Sequence, residues 1–236
     1  ALIDAFTFYL NFGRPRPKPT MGSGWSNTQF GPDAYRFFLD AGPLSDIKHK
    51  YFGDSIQFWN DLFAHPNLDK FWEDRNPLHH IKDVKPAIMV VGGHFDAEDC
   101  YGAWETYKSF ARKSPQTNTT LVMGPWFHGN WGGRGSGEQF GPIRFGSKTA
   151  EWYQNEFEIP FFKKYLEDNP TPTIGDKVNV FITGSNHWAA FNQWPPEGVE
   201  EFRLFLSENN NLRNDKSTQS GVYDQYTSDP SHPVPY

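Results

Sequence analysis

His94, Asp96, Glu98 and Asp99 crowd into the stretch GGHFDAED (residues 92–99), with Cys100 directly behind them. Three carboxylates this close repel one another until a cation or an imidazole comes between them. A second stretch, MGPWFHGNW (123–131), brings His128 to the end of another apolar run. An acid and an imidazole that can meet have a specific chemistry. The acid fixes the imidazole tautomer, and the imidazole takes the proton of a nucleophile.

Both groups need elements that bring them together. PAIMVVGG (86–93) is a short apolar run bounded by Pro and Gly-Gly, which predicts a strand buried on both faces. DCYGAWETYKSFARKS (99–114) carries apolar residues at 101, 104, 107, 110 and 111, the pattern of an amphipathic helix. TTLVMGPW (119–126) predicts a second buried strand. Strand, helix and strand make a βαβ unit with parallel strands. Functional groups in open α/β sheets gather past the carboxyl ends of strands. Neighbouring strands lie about 4.8 Å apart, so Asp96 and His128 are expected to meet. In α/β-hydrolases the chain order is Ser, Asp, His, and these two residues match the last two members. No serine here stands in a G-x-S-x-G pattern; the nearest, Ser26 in GWSNT, lacks the second glycine. The expectation is that the nucleophile strand lies outside these residues, in a larger enzyme of which this is the carboxyl-terminal part.

Elsewhere, residues 1–12 read as a strand end or helix fragment. GRPRPKPTMGSGW (13–25) reads as an extended loop. From Pro32 to Phe63 the apolar spacing predicts two or three helices broken at DAGPLSD, followed by short helical pieces. His79 and His80 are expected at a loop turn. GNWGGRGSGEQFGP (129–142) is a Gly-rich loop, and residues 150–168 form a helix that Pro160 kinks or breaks. KVNVFITG (177–184) and EEFRLFLSE (200–208) alternate in polarity, which predicts antiparallel strands.

The chain has 236 residues, a net charge of −6 and 17% aromatic residues. Its pI of about 5.7 and its lack of a basic run argue against nucleic acid and anionic membranes as partners. No apolar window reaches the roughly 20 residues needed to span a bilayer. A single cysteine excludes an internal disulfide.

GGHFDAED, MGPWFH, FFKKYLE and VFITGSNHWAAFNQWPP together resemble the α-amino-acid ester hydrolase branch, also described as cephalosporin (glutaryl) acylases. That branch belongs to the cocaine-esterase and X-Pro dipeptidyl-peptidase superfamily of serine hydrolases. The resemblance covers residues 75–236, with the earlier residues as a cap. It implies an α/β fold, the C-terminal part of an α/β-hydrolase. A helical cap segment would span 1–75, the hydrolase part 76–170 and the start of a jelly-roll β domain 171–236. It implies Asp96 as triad acid and His128 as triad base. Glu98 and Asp99 would bind the free α-amino group of a small-molecule substrate. It also implies a periplasmic or secreted location; no cofactor is expected, and a sheet cut beside its central strands predicts a homo-oligomer.

Other readings compete. Asp96, Glu98 and Asp99 are residue types that cap helices. His128 is a candidate structural histidine, and His94 a packing or hydrogen-bonding one. His94, Asp96 and His128 could hold a divalent ion, but no H-x-H or H-x-x-x-H accompanies them, so no metal is expected. Cys100 is expected as a small core residue. Trp126, Trp131, Trp188 and Trp194 read either as packing or as walls of an aromatic pocket. A binding module presenting Trp188 and Trp194 to a sugar or peptide is the rival class.

Overall fold

The computed structural model describes residues 33–167, 175, 177–208, 211–216, 223 and 225–232, together with residues 13 and 19. The readings for 1–12 and for most of 13–25 lie outside the described residues. The chain divides into two compact units, one of residues 74–200 and one of residues 1–73 with 201–236.

The 74–200 unit is built on a four-stranded sheet. β1 (Ile88–Gly93), α5 (Cys100–Lys113) and β2 (Thr119–Gly124) form the βαβ unit, with β1 parallel to β2. β5 (Val178–Ile182) runs parallel to β2 on its other side, and β6 (His187–Phe191) closes the sheet antiparallel to β5. Side chains alternate across the sheet, and two cores result. On one face Val90, Leu121, Met123, Val178 and Val180 pack with Tyr107 of α5. On the other Val122 packs with Trp126, Ala150, Tyr153 and Phe157. Leu121, Val122 and Met123 are 0% exposed, each burial contributing about 1.5–3 kcal/mol. The loop that carries His128 therefore leaves the most deeply buried strand.

The helix expected over 150–168 is α6 (Thr149–Tyr153), one π-helical stretch (Gln154–Glu158) and α7 (Ile159–Leu166). Pro160 sits in the first turn of α7, where a missing N–H is tolerated. The chain continues without a break because the π turn takes up the change in register. Between β2 and α6, β3 (Gln139–Phe140) and β4 (Ile143–Arg144) pair in a small hairpin.

β5 is the strand expected over 177–184 and has the expected antiparallel partner in β6, but its burial differs. Its alternation Val-Asn-Val marks no solvent face, because Asn179 is only 6% exposed and Phe181 1%. The strand is buried on both sides and extends the parallel sheet. The packing thus keeps β5 and β6 in the same compact unit as β1 and β2.

In the other unit, α1 (Ala34–Ala41) starts at Asp33, whose carboxylate accepts the Arg36 N–H at 2.9 Å. It ends at Gly42, inside the DAGPLSD break. α2 (Leu44–Ile47), a π turn (Lys48–Phe52), α3 (Gln57–Ala64) and α4 (Lys70–Glu73) follow. Ile47, Phe52, Ile56 and Trp59 make their core. Beyond residue 200 the described strands are β7 (Phe205–Ser207) and β8 (Asn211–Arg213), an antiparallel pair. Only residues 205–207 of the expected strand 200–208 are extended in a ladder. No helix among the described residues is long and apolar enough to cross a membrane.

Candidate active site

Two glycines let the tips of β1 and β2 close on each other. A Cβ at Gly93 would lie 2.1 Å from the Trp126 carbonyl oxygen, and one at Gly124 would lie 2.3 Å from the Trp126 ring. With both absent, the hydrogen-bond ladder runs past the strands. The His94 N–H donates to the Gly124 carbonyl at 2.9 Å, and the Phe95 N–H to that of Trp126 at 3.0 Å. Trp126 is fully buried and its Nε1–H donates to Thr149 Oγ1 at 2.8 Å. The Thr149 hydroxyl donates in turn to the Gly137 carbonyl at 2.6 Å. His128 hangs two residues beyond this anchor.

Asp96 is 4% exposed, and its two oxygens have different work. Oδ1 accepts the N–H groups of Glu98 and Asp99, each at 3.0 Å. Oδ2 lies 3.1 Å from Nδ1 of His128. An ionised carboxylate only accepts, so this bond needs the hydrogen on Nδ1. A neutral His128 then keeps its lone pair on Nε2. Glu98 Oε2 and Asp99 Oδ2 converge on the same Nδ1, at 3.8 and 3.4 Å, from side chains more than half exposed. The expected pairing of acid and imidazole is present, and so is the grouping of all three carboxylates around it. No side chain caps α5; Oδ1 of Asp96 instead holds the turn that precedes the helix. Asp99 stands at the N-cap of α5 without a side-chain cap bond.

His94 points away from this group. Its Nε2 lies 3.0 Å from the Phe181 carbonyl oxygen of β5. Burial lowers its pKa from 6.5, and the bond to Phe181 opposes the shift. A neutral ring donating from Nε2 satisfies both. The expected hydrogen-bonding role is what is found, and this bond removes His94 from the metal trio considered above. Asp96, Asp99 and His128 do bring one ligand atom each within 4.8 Å of one another. They are the same atoms that make the acid–imidazole pair, which accounts for their closeness. Cys100 opens α5 and packs against the core. His79 and His80 close a 3-10 turn at Pro77–His80.

The tryptophans are packing residues. Trp188 stacks on Trp152 with centroids 4.4 Å apart, and Trp194 on Trp104 at 4.5 Å. Neither is displayed as a binding module would require. Trp131 lies nearest the site, 6.4 Å from the His128 ring. Thr149 and the buried Asn130, which hold the His128 loop, carry no sequence signal of that role.

A sheet of this topology, with acid and imidazole on adjacent strand tips, is an α/β-hydrolase-type fold. The family model described as X-Pro dipeptidyl-peptidase (S15 family) matches residues 18–130, which include Asp96 and His128. Cocaine esterase from Rhodococcus sp. (strain MB1 Bresler) is 23% identical over 192 residues, 75% of this chain and 31% of that protein. Among solved structures, an aminopeptidase from a marine sediment Thaumarchaeota archaeon superposes with a TM-score of 0.83 at 31% identity. That match covers 97% of this chain and 37% of the other. A selenomethionine-labelled α-amino acid ester hydrolase superposes with a TM-score of 0.82 at 27% identity, covering 99% and 38%. These matches support assigning the chain to the superfamily that unites X-Pro dipeptidyl-peptidases, cocaine esterase and α-amino acid ester hydrolase. The chain spans about a third of the length of these relatives. The likeness extends to the first 75 residues, beyond the span that the motifs carried.

Proposed function

We propose that this chain supplies the acid and the base of a serine hydrolase acting on esters or amides that carry a free α-amino group. The observation behind it is the divided use of Asp96. Two backbone N–H groups hold one oxygen, and the other is aimed at His128 Nδ1. Nε2 is then the basic nitrogen. A serine hydroxyl attacking the substrate carbonyl would pass its proton there, and Nε2–H would return it to the leaving group. Water, or a second amine, would then release the acyl group by the same path. Glu98 and Asp99, which crowd His128 Nδ1, would hold an ammonium group of the substrate, because a desolvated cation needs opposite charge. The α-amino acid ester hydrolase and the aminopeptidase are named for substrates with such an amine. The sequence has no G-x-S-x-G, so the serine in this scheme lies outside the 236 residues. β1 pairs on one side only among the described residues, and its other edge can accept the strand that brings it.

The 236 residues alone are expected to show no turnover of a chromogenic phenylglycine ester. Turnover blocked by a fluorophosphonate would overturn the assignment of the serine to another segment. A polypeptide that joins these residues to a nucleophile-bearing strand should hydrolyse the ester and lose that activity in His128→Ala. Unchanged activity in that variant would end the proposal. X-Pro dipeptidyl peptidase activity is the second reading, favoured by the family model that spans Asp96 and His128. Faster cleavage of an Ala-Pro anilide than of the phenylglycine ester would select it.

A further inference from the structure

The loop beyond His128 carries an arginine, Arg134. The Arg134 guanidinium folds over Gly129, the residue next to His128. Its Cζ and Nε lie 3.5 Å from where a Cβ of Gly129 would stand. No carboxylate among the described residues pairs with it. The loop is held firmly. Buried Asn130 donates from Nδ2 to the Arg134 carbonyl at 3.1 Å. The Ala150 N–H donates to the Ser136 carbonyl, and the Phe145 N–H to that of Glu138, both at 2.9 Å. Thr149 holds the Gly137 carbonyl. Gly137 takes φ of +73°, and a side chain there would strike Thr149 and Ala150. Around the arginine lies a pocket of about 280 Å³, lined by Phe127, Asn130, Arg134, Ser136, Glu138 and Gln139 among others.

An arginine's planar fork matches a carboxylate through two parallel N–H donors. The pocket is close to the lower end of small-molecule sites, roughly 300 Å³, which suits a group the size of one amino acid. We propose that this pocket receives a carboxylate on the leaving-group or acceptor half of the substrate, with Arg134 as the specificity-determining residue. This rests on the proposed function for its orientation. The amine sits at Glu98 and Asp99, the scissile carbonyl faces Nε2 of His128, and the carboxylate reaches Arg134. The substrate class is thereby narrowed to aminoacyl derivatives of amino acids, free at both the amino and the carboxyl end. Glu138 lines the same pocket, so a second negative charge on the ligand is disfavoured.

The test titrates the 15N-labelled chain with the dipeptide alanyl-alanine, its C-terminal amide and its N-acetyl form. The free dipeptide should shift the amides of Gly135 and Gly137 and the Arg134 Nε–H. Amidation should weaken this by about tenfold, and so should Arg134→Gln. Arg134→Lys should keep part of the affinity, and Glu138→Gln should raise it. Equal binding of dipeptide and amide, or no effect of Arg134→Gln, overturns the inference. The N-acetyl form separates it from the proposal beneath it. Carboxylate-dependent shifts that survive acetylation support the Arg134 pocket. Unchanged signals at Glu98 and Asp99 on acetylation would remove the amine subsite alone.

Discussion

Asp96 shows how one side chain sets the behaviour of another. Its Oδ1 is held by two backbone donors, so in Asp96→Asn the amide oxygen must take that place. The NH2 group then faces His128 and donates to Nδ1, and the hydrogen on the ring moves to Nε2. Imidazole 15N shifts should report this exchange of tautomer, and the base would be lost with it. In an assembled hydrolase the effect on kcat is expected to be about 10⁴-fold. His94 gives a prediction in pH. Burial disfavours its charged form, so the folded ring protonates below the ordinary 6.5. Between the two values the unfolded chain binds more protons, and stability rises with pH. Full stability is expected above pH 6.5 and is lost progressively on acidification through that window. Urea midpoints at several pH values should show the slope, and His94→Gln, which cannot titrate, should flatten it.

The elements behind these residues depend on where bulk is missing. Gly93→Ala places a methyl group against a backbone carbonyl that cannot turn aside. A loss of about 3 kcal/mol is expected in urea denaturation, with Asp96 displaced from His128. β1, α5 and β2 were legible because each has one clear signal: continuous apolar runs for the strands, helical spacing for the helix. The meeting of Asp96 and His128 followed from them, since adjacent parallel strands leave little choice of where their tips point. β5 was not legible. A polar residue between two valines looks like a solvent face, and only the tertiary packing shows Asn179 to be buried. The π stretch Gln154–Glu158 was hidden for a similar reason. Pro160 announces a disturbance, but not whether the helix stops or shifts register. Arg134 and Thr149 carried no pattern, because their parts depend on a glycine loop whose path no local periodicity encodes.

For the whole molecule, the side of β1 that no described strand pairs matters most. A strand with apolar residues on both faces and unpaired backbone groups along one edge invites another strand. The 236 residues by themselves are expected to self-associate, and light scattering should find species above 27.2 kDa. A monodisperse monomer would show that this edge is closed in some other way. The ladder that runs past β1 and β2 has a further result. His94 and Phe95 lie in a turn, where backbone protons ordinarily swap with deuterium within moments. Here both are donors to the neighbouring strand's continuation. Their isotope uptake should therefore be as slow as that of the sheet interior, so that the corner holding Asp96 opens only when the sheet itself does.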